Sequence, residues 1–312
     1  MNGEFINGEF MKKYTYRAST VMFLIIFLFT SGLAQKVKTI EKSFSDVKKL
    51  TADLVLGSCE ITKSSNQSVN IKVEYTYDTE DYEVNIDQWD NRVTLEENFY
   101  YNNPKGESKW YIELPDNIDL RFESATGNLH LENLQVILDA NSGTGNITIE
   151  KAGGEFELNS GTGNLLLKNS SGEFDLNSGT GSVKITSCSG GFKANSGTGD
   201  VKAIDISIEK ESDFNSGTGD AEIELAAGPK DDFQVNSGTG DALVDYKDIE
   251  LKGSFSFTCN ESSGRIVCPV KFDNESYERR GGQYLEKKSF KKGDGPRVKI
   301  STGTGTAELV TN

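Results

Sequence analysis

The chain has 312 residues, with 33 Lys or Arg against 48 Asp or Glu, and its formal net charge is −15. The length is enough to bury a sizeable core, but the charge argues against nucleic acid as a partner and against adsorption to an anionic membrane. A single His excludes the commonest general base and most zinc chemistry. With 32 Gly and only 35% apolar residues, the composition indicates a thin protein built from strands.

The N-terminal residues have the pattern of an export signal. Three basic side chains precede an apolar run of nine residues, Val21–Phe29, and small residues follow the run. The pattern predicts a signal peptide over residues 1–34, cleaved before Gln35. The apolar run is too short to cross a bilayer, which needs about 20 residues, so we expect no transmembrane span after cleavage. Met11 follows a duplicated NGEF and is a second candidate for the true start.

Export places the mature chain in the periplasm, on the outer envelope surface or outside the cell. Its first part, residues 35–120, is expected to be a degenerate form of the architecture that follows. Leu54–Ile61 has a turn followed by a strand pattern, and Asn70–Tyr77 and Asn91–Glu97 alternate between apolar and polar residues as half-buried strands do.

Residues 121–245 contain a regular repeat. The motif NSGTG recurs six times, and degenerate copies begin at Glu123 and Ser301. From Glu123 onward the spacings are 18, 18, 18, 18, 20, 21 and 65 residues. A fixed period of this size indicates a stack of similar units. The six copies begin at Asn141, Asn159, Asn177, Asn195, Asn215 and Asn236.

A strand pattern stands on each side of every motif. In one unit, Phe156 and Leu158 precede the motif, Leu165 and Leu167 follow it, and the residues between each pair are mostly polar across the units. Alternation of this kind predicts strands with one buried face. We therefore predict an all-β fold, a parallel β-solenoid with 18- to 21-residue coils and two strands per coil.

Stacking the coils brings equivalent side chains into columns. The repeat asparagines are expected to hydrogen-bond along the axis, and the turn glycines to supply positive φ angles. An internal aromatic stack is predicted for Phe156, Phe174 and Phe192.

Residues 246–312 are predicted to form an insertion followed by a closing coil. Cys259 and Cys268 flank Ser262–Gly264, which has the composition of a hairpin turn, and we predict a disulfide between them in an oxidising compartment. Cys59 and Cys188 are isolated in the sequence. Basic residues gather over 265–292, and we expect this insertion to protect the end of the solenoid.

Two segments carry a family resemblance. Trp110–Leu134 has a strand, a bend at Leu114-Pro115 and then the first glycine-rich unit, and Gly293–Gly305 has the form of a closing segment. The chain resembles the putative-adhesin domain family, a group of exported bacterial β-solenoid proteins that is a domain of unknown function. The resemblance covers about residues 40–312. It implies the solenoid fold and supplies no catalytic residues.

Asp200, Asp220 and Asp241 follow the turn glycines in one column, and Asp139, Glu157 and Asp175 form a second column on the strand before the turn. Carboxylates one coil apart repel each other, and a calcium ion could bridge them. The chain lacks the GGxGxD nonapeptide of calcium-loaded rolls, and the competing interpretation is solvated surface charge. We predict no catalytic residue, no cofactor and no enzymatic activity.

These expectations lead to two hypotheses about function. The first is an exported, non-enzymatic rod, adhesin-like or a scaffold of the cell envelope, that binds a surface glycan or protein through many weak aligned contacts. The alternative is a periplasmic accessory or regulatory module that binds a protein partner through the basic insertion over residues 265–292.

Overall fold

The computed structural model describes residues 36–100 and 104–311, so the predicted signal peptide lies outside the described residues. In the described ranges the chain forms 26 strands and no helix. No described segment is a helix of the length and apolarity that crossing a membrane requires.

The first seven strands form one end of the molecule, the N-terminal end. They are β1 (Lys38–Phe44), β2 (Lys49–Leu54), β3 (Ser58–Lys63), β4 (Val69–Tyr75), β5 (Tyr82–Trp89), β6 (Arg92–Phe99) and β7 (Ser108–Leu114).

Fourteen strands then form seven regular coils, each with one strand before and one strand after the NSGTG turn or, in the first coil, the degenerate copy at Glu123. The strands before the turn are β8 (Ile118–Ser124), β10 (Gln135–Ser142), β12 (Gly153–Ser160), β14 (Ser171–Ser178), β16 (Ser189–Ser196), β18 (Ser212–Thr218) and β20 (Phe233–Thr239). The strands after it are β9 (Leu129–Glu132), β11 (Ile147–Glu150), β13 (Leu165–Lys168), β15 (Val183–Thr186), β17 (Val201–Ile208), β19 (Ala221–Leu225) and β21 (Ala242–Asp245).

The last five strands form the C-terminal end. They are β22 (Gly253–Asn260), β23 (Gly264–Val267), β24 (Asn274–Arg280), β25 (Gln283–Lys292) and β26 (Arg297–Val310).

Equivalent strands of successive coils pair in parallel and in register, except that the register of β17 and β19 shifts between Ala203 and Ile206. The strands before the turn, from β8 to β20, form the long-strand sheet, and the strands after it, from β9 to β21, form the short-strand sheet. The two sheets enclose one continuous apolar core. These pairings confirm the predicted parallel β-solenoid with two strands per coil.

The core between the sheets is thin because each strand contributes only two or three inward side chains. Phe156, Phe174 and Phe192 lie in one column, with successive ring centroids 5.2 and 5.5 Å apart and nearly parallel planes. In the next coil, β18–β19, the large side chain is that of Phe214, which lies in the column of Ala194, two positions further along the strand. The large side chain therefore fills the space left by the small one.

At the N-terminal end the coils do not follow chain order. The coil β2–β3 lies between the coil β6–β7 and the coil β8–β9, pairing in parallel with both. Antiparallel strands then extend each sheet outward: β5 pairs with β6, β4 with β7, and β1 with β4. The strands expected near Asn70–Tyr77 and Asn91–Glu97 are present as β4 and β6, but the repeat pattern did not predict their antiparallel neighbours.

At the C-terminal end, too, the strands do not stack in chain order. The strand β26 continues through the turn, contributes to both sheets and lies between the coil β20–β21 and the coil β22–β23. Beyond β22, the antiparallel strands β25 and β24 extend the long-strand sheet. The last segment of the chain is thus held inside the stack rather than at its end.

The predicted Cys259–Cys268 disulfide is absent, because all four cysteines are free thiols. Cys259 lies in β22 of the long-strand sheet, one residue before its end, whereas Cys268 follows β23 in the short-strand sheet. The intervening turn is therefore a corner of the solenoid and not the hairpin that its composition suggested. Burial raises the pKa of the Cys259 thiol to about 11, which disfavours its thiolate at neutral pH.

Candidate functional site

The NSGTG turns line one corner of the solenoid, and their asparagines form a hydrogen-bonded ladder. From the second motif to the sixth, the Asn Nδ2 donates to Oδ1 of the preceding asparagine over 2.7–3.1 Å. The last step is made by the Ser301 hydroxyl, which donates to Asn236. One N–H of each donating amide is thereby engaged along the axis, so the ladder fixes the orientation of every side chain in it.

In the first five regular coils a serine closes the turn from inside, because its hydroxyl accepts the N–H of a glycine of the same turn. Ser178, for example, is buried, accepts a hydrogen bond from Gly181 N at 2.8 Å and donates to the Gly163 carbonyl of the preceding coil at 2.8 Å. The same pair of bonds recurs at Ser142, Ser160 and Ser196. A hydroxyl serves here because it donates and accepts at once.

The motif glycines are required for close approach between coils. A Cβ at Gly163 would lie 1.9 Å from the Gly145 carbonyl oxygen, and one at Gly161 would lie 2.4 Å from that of Gly143. The positive φ predicted for the turn glycines is absent at these two but present elsewhere, at 134° for Gly219 and 136° for Gly240 in later motifs and at 128° for Gly154 in the other corner. Non-glycine residues take the left-handed conformation at the other corner, where φ is 51° for Lys151 and 49° for Asn169.

Above the ladder lies a shallow groove of about 820 Å³, which we call the amide groove. It is lined by the first three motif residues of successive coils, from Asn141 to Asn195, and by Asp53 and Glu123 at the N-terminal side. It crosses six coils and is therefore roughly 24 Å long, at about 4.8 Å per coil. From Asn141 to Gly179 its walls repeat asparagine, serine and glycine at each coil, whereas the two coils at the N-terminal side have Asp53 and Glu123 in place of the asparagine.

Asp200, Asp220 and Asp241 lie one coil apart, but their oxygens have a structural role. Asp220 N donates to Asp200 Oδ1 at 3.0 Å, and Asp241 N donates to Asp220 Oδ1 at 2.8 Å. Earlier in the same column, Asn146 N donates to the Asn128 side-chain oxygen at 2.8 Å. The column therefore satisfies the backbone N–H groups of the turns, which explains why Asn in the early coils and Asp in the late coils serve equally well there. Among residues 36–100 and 104–311, no group of three or more His, Cys, Asp or Glu could hold a metal ion.

The basic residues over 265–292 belong mainly to the projecting hairpin β24–β25. Every residue of β24 is exposed, and Arg279 lies over the ring of Tyr284 at 5.9 Å from its centroid. This hairpin is remote in the chain from the amide groove and forms a separate surface at the C-terminal end.

Sequence reasoning missed Glu97, a buried carboxylate that occupies the serine column in coil β6–β7. Its Oε2 accepts hydrogen bonds from Val55 N, Leu56 N and Gly57 N at 2.9–3.0 Å. Its Oε1 accepts from three side chains at 2.5–2.9 Å, namely Tyr82, Ser108 and Trp110. Burial and the nearby Glu97 raise the pKa of Tyr82 far above its usual value. The sequence gives no signal for this role, since β2 and β6 pair only in the folded chain.

The architecture defines a two-sheet parallel β-solenoid whose ends are closed by antiparallel strands. The family model described as Toastrack DUF4097 matches residues 47–292, and the chain belongs to this family. The family expected from the sequence is thereby confirmed. The comparison with curated proteins found no match.

Solved structures of low sequence identity resemble the chain. A "putative adhesin" from Bacteroides fragilis NCTC 9343 is 12% identical with a TM-score of 0.40, covering 89% of this chain and 98% of its own. A "putative cell adhesion protein" from Clostridium sporogenes ATCC 15579 is 15% identical with a TM-score of 0.29, covering 89% and 100%. A "putative lipid binding protein" from Parabacteroides distasonis ATCC 8503 is 12% identical with a TM-score of 0.36, covering 88% and 96%. Similarity at this level carries no argument about the ligand.

Proposed function

We propose that the protein is an exported, non-catalytic binding rod, adhesin-like, that holds an extended glycan chain along the amide groove. The observation that carries the proposal is the groove itself, in which the same Asn, Ser and Gly groups recur on successive coils over about 820 Å³. A surface that repeats at a fixed step suits a ligand that also repeats. Weak contacts in series then add through avidity.

The hydrogen-bond donors and acceptors that the ladder leaves unused favour a ligand rich in hydroxyl groups. Asn159 uses one N–H for Asn141, and its Oδ1 accepts from Asn177, which leaves a second N–H and a second lone pair. A ligand hydroxyl can accept a hydrogen bond from this N–H and donate one to this lone pair. The formal charge of −15 disfavours anionic polymers, so a neutral or cationic glycan fits best.

The test compares two ladder asparagines, one inside the groove and one outside it. Asn159 lines the groove and Asn236 does not, although both donate to the preceding asparagine. We expect Asn159→Ala to weaken binding to neutral polysaccharides by about 3- to 10-fold, the effect of one net hydrogen bond, and Asn236→Ala to leave it unchanged. Calorimetric titration of the exported chain against a panel of cell-surface and host glycans measures both.

Equal loss of affinity in the two variants would show that the ladder matters only for the fold. Failure of the chain to bind any glycan in the panel would contradict the proposal, and binding of a peptide or protein in the groove would replace the glycan by that class of ligand.

Location is tested separately by protease treatment of intact producing cells. Cleavage of the chain while a periplasmic control survives supports display outside the cell, as adhesion requires. Protection until the outer envelope is opened would exclude adhesion and favour the periplasmic module that binds through residues 265–292.

A further inference from the structure

Exposed apolar side chains are concentrated at the two ends of the solenoid. In the part of the chain that the structure describes, six large apolar side chains are more than half exposed. Only one of them, Ile137, lies on the regular coils. Three lie at the N-terminal end and two on the C-terminal hairpin: Val37, Trp89, Tyr100, Tyr277 and Tyr284. Exposed aromatic residues gathered in this way are typical of surfaces that associate.

The two ends also have complementary shapes. Beyond the coil β6–β7, the short-strand sheet continues for two strands, β4 and β1, and the long-strand sheet for one, β5. Beyond the coil β22–β23, the long-strand sheet continues for two strands, β25 and β24, and the described short-strand sheet ends at β23. At each end one sheet therefore extends further than the other. It is the short-strand sheet at the N-terminal end and the long-strand sheet at the C-terminal end.

The charges of the facing segments are opposite. Residues 76–91, which contain β5 and its flanking turns, carry six carboxylates and no basic side chain. Residues 264–292, which contain β23–β25, carry eight basic side chains against four carboxylates. On a chain with 48 acidic residues the C-terminal end is thus the exceptional basic surface, and the N-terminal edge of the long-strand sheet is its acidic counterpart.

Strand directions place these charges opposite each other when the axis of one solenoid continues into the next. β24 runs parallel to β6, because β22 is parallel to the whole long-strand sheet and two antiparallel steps restore its direction. β5 runs antiparallel to β6. The end of β24, at Arg279 and Arg280, therefore meets the beginning of β5, where Asp78 and Glu80 precede it.

We propose that copies of this chain associate head to tail, with the basic hairpin β24–β25 of one copy docked on the acidic end formed by β5 of the next. The contact is mainly between side chains, because the β5 edge is partly covered: Lys42 Nζ donates to the Ile86 carbonyl at 2.6 Å. Tyr277 and Tyr284 supply apolar area, and Arg279 and Arg280 supply charge. Such a contact does not close on itself, so repeated association lengthens the rod.

The strongly acidic sides of the coils of neighbouring rods repel each other and oppose lateral bundling. The proposal does not depend on the ligand of the amide groove.

A charge exchange between the ends tests the proposal. The exported full chain should show a mass by sedimentation velocity that rises with concentration, and elongation by small-angle X-ray scattering. Added salt should weaken the association because it screens the facing charges. Two double variants each reverse the charge of one end. They are Arg279→Glu with Arg280→Glu at the C-terminal end, and Asp78→Lys with Glu80→Lys at the N-terminal end. Each should weaken the association by at least about tenfold, since like charges then meet.

Mixing the two reversed variants should restore association, because each end again meets its opposite. A control with Lys151→Glu and Lys184→Glu makes the same change of charge on the side of the regular coils and should associate as the unaltered chain does. Circular dichroism confirms that each variant is folded. A chain that stays monomeric at every concentration, reversed variants that associate normally, or a folded mixture that fails to associate would each overturn the proposal.

Discussion

In five regular coils, from β8–β9 to β16–β17, a serine closes the turn from within its own coil, whereas in the coil β2–β3 a glutamate from a neighbouring coil takes over this role. Leu54 pairs with Ser124 in the register and so stands where the regular coils have serine. A leucine cannot accept the Gly57 N–H, and Glu97 Oε2 accepts it instead, together with two further backbone N–H groups. These five turns are closed by a residue of their own coil, while the turn at the N-terminal end depends on a residue 40 or more positions away.

The largest effect is expected from Glu97→Ala. The change leaves three backbone N–H groups and the polar atoms of Tyr82, Ser108 and Trp110 without their acceptor. We expect a loss of roughly 3–5 kcal/mol at the N-terminal end, because buried donors would lose a charged partner. In urea, the fluorescence transition of the buried Trp110 should precede the transition of the regular coils seen by circular dichroism.

The matched control is Glu96→Ala, one residue earlier on the same strand and exposed to solvent. It should change stability by no more than about 0.5 kcal/mol. A Glu97→Ala variant with coincident and unshifted transitions would show that the turn of coil β2–β3 does not need this carboxylate.

A smaller effect is expected from Ser178→Ala, the equivalent change in a regular coil. It removes one acceptor and one donor, which serve Gly181 N and the Gly163 carbonyl. The expected cost is about 1–3 kcal/mol, measured as the shift of the urea midpoint by circular dichroism. A cost equal to that of Glu97→Ala would contradict the distinction between turns closed within their own coil and the turn closed by a distant residue.

The smallest effect concerns Asp116, which joins the N-terminal end to the first regular coils. Its carboxylate accepts from Lys63 and from Gln135 N, and these bonds, that of Lys63 first, hold its pKa below the usual value. A lowered pKa means that the bonds stabilise the fold at neutral pH and are lost as the pH falls through the carboxyl range. The site is close to solvent, so the contribution is under about 1 kcal/mol.

We therefore expect Asp116→Asn to have a slightly lower Tm than the unaltered chain at pH 7, and the difference to shrink below about pH 4. Thermal unfolding of both chains across this range measures the difference. A gap that widened towards low pH would contradict the sign of the pKa shift.

The regular coils could be predicted from the sequence because their pairing partners recur at a fixed distance along the chain. Alternation around Asn159 and Asn177 defines the strand faces, and the period defines the register. The ends could not be predicted in this way, since the position of β2 between β6 and β8 depends on pairings between distant segments with no common motif. The same reason explains the error at Cys259, where local composition suggested a hairpin and the fold makes a corner.

The amide groove was foreseen only in part. The column of asparagines follows from the period, but a sequence does not show that Gly161 and Gly163 serve only for contact between coils, whereas Gly219 and Gly240 also have positive φ. The distance of 1.9 Å from a Cβ at Gly163 to the Gly145 oxygen is set by the spacing of neighbouring coils. The second use of Asp200 and Asp220, as acceptors for turn N–H groups, also depends on that spacing.

The position of β26 has a consequence for the order in which the molecule assembles. The chain emerges from its N-terminus during synthesis, and β26 contains its last described strand. Among the described strands, the coil β22–β23 pairs with the regular stack only through β26, so it cannot dock before β26 has been synthesised. The C-terminal end is therefore completed in a single late event, and a chain shortened before Arg297 would expose the apolar faces of both β20–β21 and β22–β23.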